Sequence, residues 1–500
     1  MNNKRLNFCS VILLNIAVVF NNASLMWGQD PAPVLQIREP LYLSIKEAIE
    51  LSLYNSYDIQ LLKYDIWISR TRAGVAESVY DTFFEMDINY ENDQHKKTST
   101  ILGTKSIDHH YDIGFSKKLP SGTDISFDLT NHRNWINTPF TTSALTHDSS
   151  LKLTIEQALG QNFFGLKDRG GVKVTKLDIE NSQFTSLEKI ETEIGRVQKA
   201  YWDLVLAIQL QAIARDMLSQ AEELYRIHEK KIANGLTELP ELYAAEANYR
   251  ARLAELLLDE NDVKTKINVL KLLLNLSDDV QDILPVDSLD LPQKNISTHE
   301  AIQLAFENRR DYQSQLTQVK QKGIELEMSS SGLWPEINLT ASLAQNGLGD
   351  HFSRSLRNIS QEDNPDLFAG LEISFPLENT KARSEFDKAK LEKAKTLINL
   401  KLVEKKIFIG VADRVRDTNV FLEQARSRQN IAYLQQKKLL EEENRFQTGR
   451  SNTDTIIRFQ EDLLQARWKE AQAVYDYQMK LIDLNKEQGT LLNDYWDGKL

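Results

Sequence analysis

One stretch of this chain occurs twice, and the duplication constrains the fold more than any other feature. Ser44–Asp58 reads Ser-Ile-Lys-Glu-Ala-Ile-Glu-Leu-Ser-Leu-Tyr-Asn-Ser-Tyr-Asp, and Ser297–Asp311 reads Ser-Thr-His-Glu-Ala-Ile-Gln-Leu-Ala-Phe-Glu-Asn-Arg-Arg-Asp. At a constant offset Glu47-Ala48-Ile49 falls on Glu300-Ala301-Ile302, Leu51 on Leu304, Asn55 on Asn308 and Asp58 on Asp311. A repeat of this kind means two copies of one structural plan. Each copy opens on a serine followed three positions later by glutamate, the pattern of a helix N-cap with a capping box.

The ends of the chain set its domain boundaries. Lys4 and Arg5 precede the apolar run Val11–Phe20, with Ala23 and Gly28 as small residues before a cut, so residues 1–28 read as a secretory signal peptide. The run is too short for a spanning helix, which needs about 20 apolar residues. The sole cysteine, Cys9, lies within this leader, which excludes disulfides and cysteine-ligated metals from the rest. Residues 29–40, with Pro31, Pro33 and Pro40, read as an extended arm. Residues 41–292 make the first repeat, 293–492 the second, and 493–500 a frayed tail. The net charge of −12 argues against nucleic-acid binding, which needs a basic face.

Within each repeat the hydrophobic period changes. From Ser44 to about Tyr80 it is helical; then Met86, Ile88 and Tyr90 alternate with polar residues, as do Tyr111, Ile113 and Phe115, then Ile125, Phe127 and Leu129, then Leu151, Leu153 and Ile155. These are four strands. Pro120-Ser121-Gly122 is a short turn, whereas 94–108 and 132–148 are long and polar, the pattern of an outer-membrane barrel. After Gly170-Gly171, read as a loop joint, Leu187, Ile190, Ile194, Val197, Tyr201, Leu204 and Ile208 follow a 3-4 spacing, a heptad seam. Gly235 ends that helix, Pro240 opens the next, and Val263, Ile267, Leu270 and Leu274 share a face, giving an antiparallel helical hairpin.

The second repeat follows the same order: a helix from Ser297 to about Ser330, a strand from Trp334-Pro335, a polar loop over 345–366, a strand through Leu371, Ile373 and Phe375, and a long helix broken at Thr448-Gly449-Arg450-Ser451. Phe84 to Gly235 is 37 residues longer than Pro335 to Gly449, so the first copy carries one inserted β-hairpin near 109–132.

Helix, strands, long helix, glycine tip and helix, twice over behind a leader, resembles the TolC family of outer-membrane efflux proteins. The resemblance covers nearly all of 41–492. It rests on the duplicated Glu-Ala-Ile-x-Leu, on Trp334-Pro335-x-Ile337 at a strand entry, on Ser374-Phe375-Pro376-Leu377 at a strand exit and on Gly235-Leu236-Thr237. It implies a mostly α fold with β: long antiparallel coiled helices in a trimeric α-barrel, continued by a shared transmembrane β-barrel of twelve strands, four per protomer. The inserted hairpin either enlarges that barrel or folds over its rim.

The resemblance also implies a homotrimeric conduit in the cell outer membrane, in contact with its lipid and extending into the periplasm. Such a duct serves tripartite efflux or type I secretion, and is opened by an inner-membrane transporter and a periplasmic adaptor. The adaptor would meet the tips at Gly235, Leu236, Thr237, Gly449, Arg450 and Ser451, and Asp454, Arg458 and Asp462 are candidates for a pore constriction.

Read for chemistry, the residues offer little. No nucleophile, acid–base pair or phosphate loop is evident, so the chain reads as no enzyme and without a cofactor. His109-His110 lacks completing ligands for a metal. Phe83, Phe84, Trp334 and Phe375 sit at strand ends, where an interfacial girdle and packing against the helices account for them equally. The alternative to a duct is a soluble periplasmic coiled-coil adaptor or structural protein, which would lack paired membrane-length strands.

Overall fold

The computed structural model describes residues 40–96, 101, 103–138, 140, 143–235, 238–277, 282–292, 295–493 and 495. The leader, all of the proline-rich arm but Pro40, and Leu236 and Thr237 lie outside the described residues.

Both repeats begin with a short helix: α1 (Ile45–Asn55) and, in the second copy, α5 (Thr298–Asn308), each 11 residues long. The Ser44 hydroxyl accepts from the Glu47 amide at 3.3 Å and the Glu47 carboxylate accepts from the Ser44 amide at 2.8 Å, a complete capping box. Ser297 makes no such side-chain bond, so the second box does not form.

The helices expected to run unbroken to Tyr80 and Ser330 are each interrupted once. Ser56 (φ −60°, ψ 125°) and Arg309 (φ −64°, ψ 122°) are extended, and α2 (Tyr57–Glu77) and α6 (Arg310–Ser331) start anew after them. Both breaks fall at the same point of the repeat. Apolar side chains fall on a helical period on either side, which hides the interruption from a periodicity argument.

The long helices match in length. The first coil is α3 (Leu166–Ala233) with α4 (Leu239–Leu274), and the second is α8 (Thr380–Gln447) with α9 (Thr453–Gln488). α3 and α8 both have 68 residues, and α4 and α9 both have 36. At 1.5 Å per residue the longer pair spans about 100 Å. Their seam is the sequence heptad: Ile190, Ile194, Tyr201 and Leu204 are fully buried, as are Leu270 and Leu274 opposite. Each such side chain removed from water contributes about 1.5–3 kcal/mol.

Gly170 and Gly171 are not a loop joint but lie inside α3. A Cβ on Gly170 would stand 2.6 Å from Met328 Sδ on α6, so the glycine lets these two helices approach closely.

A small parallel sheet of β1 (Leu41–Leu43) and β6 (Ile283–Pro285) ties the start of the first repeat to the end of its coil. The buried Tyr201 hydroxyl donates to the Asp287 carboxylate at 2.7 Å and lies 3.0 Å from Leu43 O. The end of the chain is also anchored where described: Leu492 is buried and Asn493 Nδ2 donates to Asn308 Oδ1 at 3.0 Å, so the start of the tail is packed rather than frayed.

The main sheet is antiparallel and six-stranded: β2 (Thr82–Asp93), β3 (Ser106–Lys118), β4 (Thr123–Ile136), β5 (Leu145–Ala158), β7 (Glu336–Gly349) and β8 (Pro365–Ser374), in the order β2-β3-β4-β5-β7-β8. The inserted hairpin is β3–β4, and it lies within the sheet rather than over a rim. The loop expected over 345–366 holds a further helix, α7 (Phe352–Gln361). α7 packs so closely on the far end of β7 that a Cβ on Gly347 would sit 2.3 Å from Ser355 O.

Candidate functional site

Two regions define what this molecule can do: the paired helix tips at one end and the two faces of the sheet at the other.

At the first tip Gly235 has φ +66° and its amide donates to Ile232 O at 2.9 Å. At the second Gly449 has φ +73° and its amide donates to Phe446 O at 3.1 Å. Both are left-handed residues closing a helix, a conformation glycine adopts at no steric cost. The second turn is braced by Arg450, whose amide donates to Arg445 O at 2.9 Å, and by Ser451, whose hydroxyl donates to the Glu442 carboxylate at 2.6 Å.

The tips are packed on one another. Leu224 on α3, Ala245 on α4 and Ile456 on α9 form one apolar cluster with Phe446 of α8. Beside it lies a residue that sequence reasoning missed. His228 is fully buried, with Nε2 3.1 Å from the Thr453 hydroxyl, which also donates to the Glu241 carboxylate at 3.0 Å. Burial, reinforced by Lys231, pushes the His228 pKa down, and Glu241 opposes that shift. A signal for it existed. Ala214, Met217, Ala221, Leu224 and His228 are buried at their own 3-4 spacing beyond Ile208, so the histidine occupies a core position.

The constriction candidates separate in the structure. Asp454 and Arg458 are exposed on the first turns of α9. Asp462 is instead held inside the protomer by Lys438 of α8 at 2.6 Å, with the same ammonium 3.9 Å from the centre of the Phe459 ring. At the preceding residue, Glu461 pairs with Arg252 of α4, which is mostly buried and also pairs with Glu255.

The sheet has two unlike faces. On one, Phe84, Phe115, Phe127, Leu153, Leu343 and Leu367 are consecutive cross-strand partners and form an unbroken apolar row across all six strands. These side chains are exposed, and so are Met86, Ile88 and Tyr90. The other face carries the row Glu85, Gly114, Asp128, Lys152, Ala344 and Asp366, and beside it Asp87 opposite Asp112. One face thus suits hydrocarbon and the other water.

Of the strand-end aromatics, Phe84 lies on the apolar face, its ring 5.2 Å from that of Phe115, whereas its neighbour Phe83 projects to the polar face. Trp334 and Phe375 are exposed rather than packed in a core.

His109 and His110 project to opposite faces and cannot share an ion. His110 stacks on His132 with centroids 4.2 Å apart, and His109 meets Arg133. Among the described residues no cluster of three or more His, Cys, Asp or Glu is arranged to hold a metal, and no helix is long and apolar enough to cross a membrane.

Paired helical hairpins of equal length set on an open sheet with one apolar and one polar face are the fold of the TolC-type outer-membrane channels, and this chain has that fold. The MtrE outer-membrane channel of Neisseria gonorrhoeae in its open state is similar over 92% of this chain and 94% of its own, with a TM-score of 0.65 at 15% identity. The CmeC outer-membrane channel of Campylobacter jejuni matches over 89% and 85%, with a TM-score of 0.62 at 15% identity. The outer-membrane protein VceC of Vibrio cholerae matches over 89% and 96%, with a TM-score of 0.61 at 14% identity. No family model matches the sequence, and no curated protein does.

Proposed function

We propose that this chain is an outer-membrane exit duct that assembles as a homotrimer and serves as a passive conduit for efflux or secretion. The observation that carries this reading is the six-stranded sheet, with its exposed apolar face backed by an acidic one. A lone sheet of this kind leaves both edges unpaired, and lipid tolerates strands only in a closed barrel. Copies of the chain closing the barrel satisfy both needs.

The helices support the same reading. α8 leaves Leu391, Ile398, Leu402 and Ile409 exposed at heptad-like spacing, while α2 and α4 expose Leu61, Trp67, Leu257 and Leu258. Such seams on an isolated protomer fit burial against neighbouring copies. In this reading the sheet lies in the outer membrane, the helices extend into the periplasm, and the turns at Gly235 and Gly449 receive a periplasmic adaptor that couples the duct to an inner-membrane transporter.

Membrane fractionation tests the proposal. The protein is expected in the outer-membrane fraction, running as a large oligomer on a gel until heated. Recovery as a soluble monomer, the behaviour of an adaptor, would refute it.

A further inference from the structure

We infer that three copies of this chain close a barrel of eighteen strands rather than twelve, so that the outer-membrane segment is not where cargo size is limited. The inference rests on the trimeric duct proposed above and adds the dimensions of its outer part.

Four observations carry it. First, the inserted β3–β4 hairpin is interior to the sheet. It is joined to β2 through 12 residue pairs and to β5 through 13, so it cannot leave without breaking two complete ladders. Second, it has the two-faced pattern of its neighbours. Phe115 and Phe127 fill the second- and third-strand positions in register that an unbroken apolar row requires, while Asp112 and Asp128 continue the acidic face. A hairpin folded over a rim has no need of a lipid-matched row at that register. Third, the edges fit each other. β2 leads away from the helices and β8 returns to them, so β8 of one copy meets β2 of the next antiparallel. Both edges carry exposed apolar residues on the same face, Phe84, Met86 and Ile88 on one and Leu367, Leu371 and Ile373 on the other. Fourth, the insertion is confined to the sheet. The long coil helices of the two repeats are equal in length, so the helical end gains nothing from it.

The consequence is geometric. Strands about 4.8 Å apart and tilted by about 40° give a backbone diameter of about 36 Å for eighteen strands against about 24 Å for twelve. The backbone cylinder is about 1.5-fold wider, and the bore inside its lining side chains wider by at least that factor, while the helical cylinder is unchanged. Restriction of cargo therefore falls to the helical end, and the outer barrel admits bulky solutes.

The full chain allows a direct test, because its only cysteine, Cys9, lies in the leader. Phe127→Cys and Asp128→Cys variants in outer membranes are treated with a charged, water-soluble thiol reagent. Modification at 128 and protection at 127 are expected. Modification at both positions in a protein that still runs as a heat-sensitive trimer overturns the inference and leaves the trimer reading intact. Absence of the trimer removes the reading itself. A second measurement uses planar bilayers, with graded polyethylene glycols added on the sheet side. The largest polymer entering the wild-type barrel is expected to be greater in radius, by at least about 1.5-fold, than that entering a variant lacking residues 97–138. Equal cut-offs overturn the inference. If the shortened variant does not assemble, electron microscopy of the wild-type trimer counts the strands, and twelve overturns it.

Discussion

His228 Nε2 and the Thr453 hydroxyl lie 3.1 Å apart, and this contact joins the tip of the first repeat to that of the second. The hydroxyl donates to Glu241, so it accepts from the Nε2–H of a neutral imidazole, whose Nδ1 has no hydrogen-bond partner. The surroundings hold the histidine pKa below its unfolded value. The resulting stability is fully present above about pH 6.5, the unfolded value, and is lost as pH falls through the lowered folded value.

Proteolysis at the tips is therefore expected to accelerate as pH drops below about 6.5. A His228→Gln variant, which keeps a donor and cannot titrate, is expected to lose this dependence at a constant cost of about 1–3 kcal/mol. Cleavage rates between pH 5 and 8 check it. The same acid sensitivity in both proteins would assign the effect to other groups.

A second prediction concerns the break in the second repeat. Arg309 binds Asp311 through both ends of its guanidinium, at 2.9 and 2.8 Å, and also pairs with Glu487 near the end of α9. Both carboxylates pull its pKa up, against burial. Arg309→Ala is expected to destabilise by about 2 kcal/mol, less than a fully buried pair because the site is partly exposed. Ser56→Ala, at the matching break, changes stability by about 0.5 kcal/mol or less, since Ser56 makes no side-chain cap. The Asp311 carboxyl lies below the usual range because Arg309 outweighs its burial. Its contribution is present above about pH 4, its unfolded value, and disappears in stronger acid. Denaturant melts of the two variants check the contrast.

These two sites show what a linear reading reaches. The duplication, the seam through Tyr201, the six strands and the glycine turns were legible because each is a local periodicity or a backbone requirement. The breaks at Ser56 and Arg309 were not, since apolar spacing continues across them and neither residue is a helix breaker. Gly170 misled for a related reason: its role is contact with Met328, distant in sequence, rather than a turn. α7 was hidden in a polar stretch, although Gly347 and Gly349 marked where a backbone comes close. The pairing of Asp462 with Lys438 depends on the register of two helices, which spacing along one of them does not fix.

A third prediction is set by the turns. A Cβ at Gly235 or Gly449 meets nothing within 4 Å, so a larger residue is opposed by the positive φ and not by a clash. Gly235→Val and Gly449→Val are expected to strain their turns by about 1–2 kcal/mol each and to leave the long coils intact. With these turns receiving the adaptor as proposed, export is abolished while the oligomer persists on a gel. Normal export by both variants would remove the tips from the mechanism.

The last prediction separates the three constriction candidates. Asp454 and Arg458 are exposed at the start of α9, one turn apart, whereas Asp462 is engaged by Lys438. A charge facing a water-filled passage acts on passing ions, while a charge neutralised at 2.6 Å within its own protomer acts mainly on packing. Asp454→Lys is expected to shift the cation-to-anion permeability ratio toward anions without lowering the unfolding midpoint. Arg458→Glu shifts it the other way. Asp462→Lys is expected to set two ammonium groups against each other between α8 and α9, loosening the second coil by about 1 kcal/mol, discounted because both side chains are partly exposed. Reversal potentials in a salt gradient and thermal melts, measured on the same three variants, distinguish the roles. A selectivity change confined to position 462 would place the constriction a full two turns deeper and overturn the assignment to Asp454.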